Sequence, residues 1–550
     1  MASHQYSPTR APSLFLLAGV VAGFCLARET EAHVWLTLGM ALLLCLICIK
    51  AASTYRFIWL VCFFAAAMLA AWSYASWRLP SPPDPTGIPL PIREASLHFK
   101  VTSVMQARTP YGTASGLGRI IEASKTSGLA AGDRIYFRLK LPQDDSYNLL
   151  RGSEIEALGL IETIDPEPEE NSFDAYLTET GIFHRFARVS SFEQVHAPGH
   201  FEHFCQQMNQ RFESYLRLGS PESGDLDRIY IAMLLGQKAE LTPEQSERFR
   251  ASGTMHFFAI SGLHIGVIAT VLAQFLLLLR VPRKVSPFVG LPLLYLYVEI
   301  TGASPSAVRA FLMALFFWLG FALCRQRSPL AALAASAVFV LIIAPQQLWS
   351  LGFQLSYTVV LSILLFGLPL YQQASERLAP FSHLPPADWT MGHRIYAGSL
   401  DALLLVFSVS ISAWLASAPL SAAFFGYFSP AAIVLNVLLV NLVAVAIVTG
   451  VISLALGTVG LPFFAGFINH AAWLTIEVMD RLVSVGTQIP FSVLATTGFN
   501  QGLAYTTLVL YFAVLLRMQQ KDARLSQSPL VFAIPPAIIL AGLVSGMILA

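Results

Sequence analysis

Long apolar stretches alternate with short polar connections over most of the chain. An apolar stretch of about 18 residues is long enough to cross a bilayer as a helix. We locate these stretches near residues 12–27, 33–49, 57–77, 255–279, 285–301, 306–324, 329–344, 350–371, 401–426, 429–459, 462–489, 501–516 and 529–549. The stretch 429–459 would hold two short spans or one tilted span. The pattern predicts a polytopic α-helical membrane protein with about ten to thirteen spans.

A polar insert follows the third stretch and breaks the membrane pattern. It begins with the Pro-rich run 80–85, which is typical of a stiff linker. Residues 97–101 and 134–140 then alternate apolar and polar side chains, as half-buried strands do. Short strands separated by glycines predict a small β-barrel, and an OB-like barrel fits the length.

These patterns divide the chain into five parts. We expect N-terminal membrane helices over 1–77, an OB-like β domain over 78–190 and a linker with amphipathic helices over 191–253. A membrane domain would follow over 254–516, and a C-terminal membrane helix over 517–550. Lys50 and Arg56, with Arg280, Arg283 and Lys284, favour a cytoplasmic N-terminus and an external β domain.

Composition supports the membrane interpretation. Hydrophobic residues make up 55% of the chain and charged residues 12%, against about 25% charged in an average soluble domain. The high hydrophobic fraction and the low charged fraction exclude a disordered chain and a disulfide scaffold. The net charge of +1 gives no general sign of a polyanionic partner, so such a partner would have to be bound by local charge.

Local charge is concentrated in the polar insert. Basic side chains outnumber acidic ones over 93–151, whereas 152–180 has acidic side chains and no basic one. A basic strand face with the aromatic side chains Tyr111, Tyr136 and Phe137 would follow a phosphate backbone and stack bases. An ordinary solvated strand face is the alternative. The candidate nucleic-acid-binding residues are Lys100, Arg119, Arg134, Tyr136, Arg138 and Lys140.

Histidines near the end of the insert raise the question of a metal. His196, His200 and His203 have helical spacing, with Cys205 close by. However, Pro198-Gly199 would separate His196 from a helix that begins near His200. We therefore interpret them as the polar start of that helix, and we expect no metal site.

Helix-start and helix-stop signals surround residue 250. Gly236 would end a helix that contains 229–235, and Thr242-Pro243 with Gln245 forms a capping box for a short helix over 243–252. The next helix would open at 256–266. There Ser261 and His264 share one side, and Gly262 and Gly266 form a small-residue face for close approach of a neighbouring backbone. Polar side chains at membrane depth line a wet path, or alternatively only join helices.

A helix break follows at 299–309. Ser304 would cap a new helix with Pro305 at its first position, leaving free N–H groups at membrane depth near Ser306 and Arg309. Such a helix start favours a phosphate, and Arg309 would add donors. A Glu299–Arg309 pair that only holds the bundle is the alternative.

Several motifs together resemble the ComEC family of bacterial inner-membrane proteins for DNA internalisation, over about residues 10–500. They are Leu234-Leu235-Gly236, Leu241-Thr242-Pro243, the run 249–256, Ala259-Ile260-Ser261-Gly262-Leu263-His264, Pro305-Ser306-Ala307-Val308-Arg309, Gly352-Phe353-Gln354-Leu355-Ser356-Tyr357, and Phe173-Asp174-Ala175-Tyr176-Leu177 in the insert.

The resemblance implies a channel or translocase component for single-stranded DNA in the bacterial cytoplasmic membrane, with no enzymatic activity and no cofactor. A DNA receptor, a cytoplasmic helicase and a separate nuclease would be its partners. A polar lumen is needed because phosphates do not cross hydrocarbon. Its candidate residues are Ser261, Gly262, His264, Arg309, Gln354 and Asn436.

The sequence departs from the longest family members. It has no H-x-H-x-D-H motif, so we expect it to lack their metallo-β-lactamase-like domain and its nuclease activity. It also has no nucleotide-binding G-x-x-x-x-G-K-[ST] loop, which places the energy source elsewhere. Two alternatives stay open. One is a transporter of another anionic solute, and the other is an intramembrane serine hydrolase using Ser261 and His264.

Overall fold

A computed structural model of the 550-residue chain describes residues 12–549 except 31–32, 52–55, 80–91, 107–111, 125–126, 142–148, 166–167, 170–171, 221–224, 323–327, 489–492, 497 and 521–528. The predicted Pro-rich linker and Tyr111 lie outside the described residues.

The described residues form a predominantly helical chain with a block of strands between the third and fifth helices. The helices are α1 (Pro12–Glu29), α2 (Val34–Ala51), α3 (Arg56–Arg78), α4 (Phe173–Glu179), α5 (His200–Leu216), α6 (Leu226–Leu235), α7 (Pro243–Ala251), α8 (Gly262–Leu278), α9 (Ser286–Ile300), α10 (Pro305–Ala322), α11 (Pro329–Ile343), α12 (Leu351–Ser362), α13 (Leu368–Arg377), α14 (Met391–Phe425), α15 (Ala432–Thr458), α16 (Pro462–Thr487), α17 (Gln501–Gln520) and α18 (Ile534–Leu549). The strands are β1 (Ile92–Gln106), β2 (Thr113–Ala123), β3 (Arg134–Lys140), β4 (Glu154–Thr163), β5 (His184–His196), β6 (Tyr427–Phe428) and β7 (Leu494–Ala495).

Helices occupy every predicted apolar stretch. Among the described residues, six helical runs are long and apolar enough to cross a membrane: α3, the continuous run of α12 and α13, α14, α15, α17 and α18. α15 is one helix of 27 residues, so the stretch 429–459 does not split into two short spans. Shorter apolar helices include α2, α8, α9, α10 and α11. The number of spans, predicted as ten to thirteen, stays a prediction.

The chain divides into two compact units. The larger comprises residues 1–73, 211–342 and 351–550, and the smaller comprises 74–210 and 343–350. The finer five-part division expected from the sequence stays a prediction.

One hydrophobic core of the larger unit is built around α6, whose residues 229–235 are all buried. These side chains pack with others from α8, α9, α10, α15 and α16. α6 ends, as predicted, at Gly236, which has φ +72°. Tyr297 of α9 donates a hydrogen bond of 2.6 Å to the carbonyl of Leu234. A side chain from another helix therefore satisfies this carbonyl in the last turn of α6.

The smaller unit contains a closed barrel of five strands in the order β1-β2-β3-β5-β4. This confirms the predicted small β-barrel. Phe99, Phe137 and Phe186 fill its interior, with 5.2 Å between the ring centroids of Phe99 and Phe137. A Cβ at Gly118 would lie 2.6 Å from Phe99, so only glycine lets β2 pass over this ring.

The predicted short helix after residue 242 is confirmed as α7. Thr242 caps it by accepting a hydrogen bond from the backbone N–H of Gln245, and the Gln245 side chain accepts from the backbone N–H of Thr242. Pro243 occupies the first helical position, where no N–H is needed. This capping box fixes where the chain turns towards α8.

Candidate functional site

The start of α8 brings two of the candidate path residues into contact. Ser261 precedes the helix, and its Oγ lies 3.2 Å from Nδ1 of His264. The backbone N–H of Ser261 donates to the same Nδ1 at 3.4 Å. The His264 side chain is fully buried. His264 therefore holds the first turn of α8 in a buried environment.

The glycine face of α8 differs from the expectation. No atom lies within 4 Å of a Cβ built on Gly262 or on Gly266, so no neighbouring backbone approaches closely there. Both glycines instead line an open groove of about 450 Å³ with Thr270 and, from α15, Val448. Among the described residues, no helix packs into this groove. The space beside the two glycines therefore stays open.

The predicted helix break is confirmed between α9 and α10. The chain turns through left-handed conformations at Gly302 (φ +87°) and Ala303 (φ +48°). Ser304 Oγ then accepts a hydrogen bond of 3.4 Å from the N–H of Ala307 and lies 3.3 Å from Ser306 Oγ. Ser304 thus caps α10, as expected of a serine before proline. Its role in binding phosphate stays a prediction.

Arg309 lies in the second turn of α10 and is only 5% exposed. Its Nε and Nη2 donate to Ser356 Oγ at 3.2 and 3.1 Å. Nη2 also donates to the carbonyl of Gly352 at 2.9 Å. Two positions one turn apart on α12 therefore hold the guanidinium, and they fix a positive charge between α10 and α12.

The remaining two path candidates lie on other helices. Gln354 of α12 accepts a hydrogen bond of 3.0 Å from the hydroxyl of Tyr505 on α17. Asn436 lies in α15, and its buried Oδ1 has no hydrogen-bond partner in the described structure. The place of Gln354 and Asn436 on a common path with the other candidates stays a prediction.

The sequence analysis missed Gly352 and Ser356 as partners of Arg309. Both belong to the motif Gly352-Phe353-Gln354-Leu355-Ser356-Tyr357, of which only Gln354 is among the predicted path residues. Their i,i+4 spacing puts them on one helix face, and this was the available signal. Only the packing of α10 on α12 reveals that this face meets Arg309.

A row of basic residues crosses the outer face of the barrel. In the strand register Lys100 on β1 pairs with Arg119 on β2, and Arg119 pairs with Arg134 on β3. Arg138 and Lys140 continue along β3 and are exposed. The barrel therefore brings the basic candidates together on neighbouring strands, as a surface that binds a phosphate backbone requires.

Part of this face is covered. Tyr136 packs edge-on against Phe173 of α4, with 5.1 Å between ring centroids, and contacts the cluster formed by Ile164, Leu177 and Ile182. It is therefore engaged with the protein itself. Phe137 is buried inside the barrel, so the expectation that it stacks bases is wrong, because successive strand residues point to opposite faces.

Arg134 is also engaged. Its guanidinium donates a hydrogen bond of 3.1 Å to the carbonyl of Thr180. Burial, together with the charge of Arg119, lowers the pKa of Arg134. The exposed basic candidates are therefore Lys100, Arg119, Arg138 and Lys140.

The histidines near residue 200 are separated as expected. β5 ends at His196, whereas His200 and His203 lie on α5. His196 instead lies near His98 and Glu154, and these three form the group of potential metal ligands found among the described residues.

Comparison with known proteins identifies the family. The model of a family described as "Competence protein" matches residues 233–521, which is more than half of the chain. The chain belongs to this family. The match confirms the resemblance to ComEC and indicates a membrane protein. The competence region extends from α6 to α17 and contains all six path candidates, whereas the barrel lies outside it.

Two curated proteins are similar to parts of this chain. "ComE operon protein 3" of Bacillus subtilis (strain 168) is 27% identical over 330 residues, 59% of this chain and 39% of the relative. An "Uncharacterized protein" of Aquifex aeolicus (strain VF5) is 32% identical over 143 residues, 26% of this chain and 33% of the relative. The matched region thus spans 39% of the first relative and 33% of the second, well under two thirds of either. No solved structure matches the chain.

Proposed function

We propose that this protein takes part in DNA uptake and passes single-stranded DNA through the cytoplasmic membrane. The observation that carries the proposal is the competence family match, which contains every candidate path residue. The Bacillus subtilis relative is named after the ComE operon, and this name points the same way.

The chemistry of the strand sets what the membrane unit must provide. A phosphate without a partner is costly in hydrocarbon, so a lumen needs fixed polar and positive groups. Arg309 supplies a positive charge whose position α12 fixes. The capped start of α10 adds backbone N–H groups and the positive end of a helix dipole. Both features favour an anion and neither reads base identity.

The barrel would bind the strand before it crosses. The exposed basic row formed by Lys100, Arg119, Arg138 and Lys140 suits a phosphate backbone. We place the N-terminus in the cytoplasm and the barrel outside, following the distribution of basic residues. A DNA receptor, a cytoplasmic helicase and a nuclease are the proposed partners.

We further propose that the protein acts without catalysing a reaction. The Ser261–His264 contact is what a hydrolase dyad would need, and it therefore has to be tested. It lies within the first turn of α8, where helix capping accounts for it. Ser261→Ala should preserve most DNA entry if the contact is structural. Abolished entry at normal membrane levels would contradict a purely structural contact and would show that the hydroxyl is required, either in the path or as the nucleophile of a hydrolase.

The experiment is a DNA-entry assay in the host. A deletion strain, complemented with wild type or with an Arg309→Ala variant, is given fluorescent marker DNA, and external binding and cytoplasmic DNA are measured separately. The proposal requires that deletion abolishes entry while DNA still binds outside. Normal entry in the deletion strain would contradict it and would favour transport of another anionic solute.

A further inference from the structure

Three side chains with metal-binding chemistry lie together on the outer face of the barrel. They come from adjacent strands, since β4 is paired with β1 on one side and with β5 on the other. Glu154 of β4 is the direct partner of His196 on β5, and His98 lies diagonally opposite on β1. Side chains held by neighbouring strands are more precisely placed than side chains on loops.

The distances fit a small cation. His196 Nδ1 lies 3.2 Å from Glu154 Oε2, and His98 Nε2 lies 3.9 Å from the same oxygen. The three ligand atoms all lie within 4.8 Å of one another. Tetrahedral zinc with bonds of about 2.0–2.1 Å separates its ligand atoms by about 3.3 Å. A small shift of the imidazoles would therefore close the site.

The unsatisfied ring nitrogen of His98 is a second indication of a metal site. Its Nε2 is buried and has no hydrogen-bond partner in the described structure. Buried polar atoms are normally satisfied, so an unsatisfied nitrogen facing a carboxylate requires an explanation. A metal ion bound between the nitrogen and the carboxylate would satisfy both.

Lys100 lies beside the group and has to be taken into account. Its Nζ is 3.6 Å from Glu154 Oε1, the carboxylate oxygen that does not face the imidazoles. The ammonium group therefore leaves Oε2 available, although its charge weakens the binding of any cation. His196 is 68% exposed, which leaves one side of the site open to solvent.

We propose that His98, Glu154 and His196 form a Zn²⁺ site on the barrel, with water as the fourth ligand. Two imidazoles and a carboxylate suit zinc better than Mg²⁺ or Ca²⁺, which prefer oxygen ligands. The ion would tie the end of β5, where the chain leaves the barrel, to β1 and β4. None of the three proposed ligands is a candidate DNA-binding residue, although Lys100 of the basic row neighbours Glu154.

The test is metal binding to the full chain, purified in detergent with a tag that contains no histidine. Co²⁺ is titrated and followed by its visible absorption, and Zn²⁺ then competes for the site. We expect one equivalent to bind. His98→Ala and His196→Ala should each weaken binding by about 100-fold or more, since even outer-shell changes cost 10–100-fold. Lys100→Ala should bind at least as tightly as wild type.

The matched control is the double variant His200→Ala/His203→Ala, which removes two exposed histidines of α5 and leaves the proposed ligands intact. It should bind one equivalent as wild type does. Zn²⁺ should also raise the melting temperature of the wild type and of this control, but not of His98→Ala. No stoichiometric binding, or loss of binding in the control with retention in His98→Ala, would overturn the site.

Discussion

The hydrogen bonds between Arg309 and α12 predict a specific effect of Ser356→Ala. The hydroxyl of Ser356 accepts from both Nε and Nη2 of a guanidinium that is 5% exposed. Hydrogen bonds to a charged group contribute about 1.5–3 kcal/mol. Since the carbonyl of Gly352 remains as a partner, we expect the free energy of unfolding to fall by about 1.5–3 kcal/mol.

The same substitution should reduce DNA entry. If the guanidinium loses its fixed position, a loss of about 1.4 kcal/mol in its interaction with the strand corresponds to tenfold weaker binding. We therefore expect DNA entry to fall about tenfold at unchanged membrane levels. Arg309→Lys should behave similarly, because an ammonium group cannot reproduce the planar fork of donors.

Thr358→Val is the matched control on the same helix. The Thr358 hydroxyl donates to the carbonyl of Gln354, four residues earlier in α12, so its removal should change stability little. Thermal unfolding in detergent and marker-DNA entry are measured for both variants. If Ser356→Ala matches Thr358→Val in both assays, the proposed role of the Arg309 contact is refuted.

Three further predictions concern the barrel and the larger unit. Burial, together with the charge of Arg93, lowers the pKa of His184 to about 4. The unfolded chain therefore binds this proton first as the pH falls, and between pH 6.5 and about 4 stability should drop by up to about 3 kcal/mol. His184→Gln should lose this part of the pH dependence in thermal melts, and an unchanged profile would contradict the assignment. A plot of the logarithm of the binding constant against the logarithm of the salt concentration should have a slope smaller in magnitude by about 1.4 when both Arg119 and Arg138 are replaced by serine. Binding of a single-stranded oligonucleotide is measured by anisotropy. A slope that stays at the wild-type value would exclude the basic row as the DNA-binding surface. Asn469→Ala should lower the free energy of unfolding by about 1–3 kcal/mol, because the Asn469 amide donates to carbonyls at and just after the end of α5. Denaturant unfolding measures this change, and an unchanged unfolding midpoint would show that water replaces the amide as donor.

Local features were predictable because they depend on neighbours in sequence. The capping box of Thr242 and Gln245, the stop at Gly236 and the break at Ser304-Pro305 each follow from the stereochemistry of one or two residues. The barrel strands followed from alternation, since inward and outward residues differ in polarity.

Contacts between distant residues were not predictable from these patterns. Arg309 and Ser356 are 47 positions apart, and only the packing of α10 on α12 joins them. Tyr136 was expected to be available for stacking, but α4 covers it, and alternation within β3 cannot show what packs on its outer face. Likewise, His196 meets Glu154 and His98 through strand register, whereas the sequence associated it with His200 and His203.

The most direct measurement of the central claim is photo-crosslinking of DNA in transit. A photoreactive amino acid is placed at Gln354, a candidate path residue, or at Leu474 of α16, which is apolar and 67% exposed. Cells taking up labelled DNA are then irradiated, and protein–DNA adducts are quantified against membrane levels. Our account predicts adducts at position 354 and none at position 474. Adducts at neither position, or equally at both, while DNA entry proceeds normally, would contradict passage of the strand through this protein.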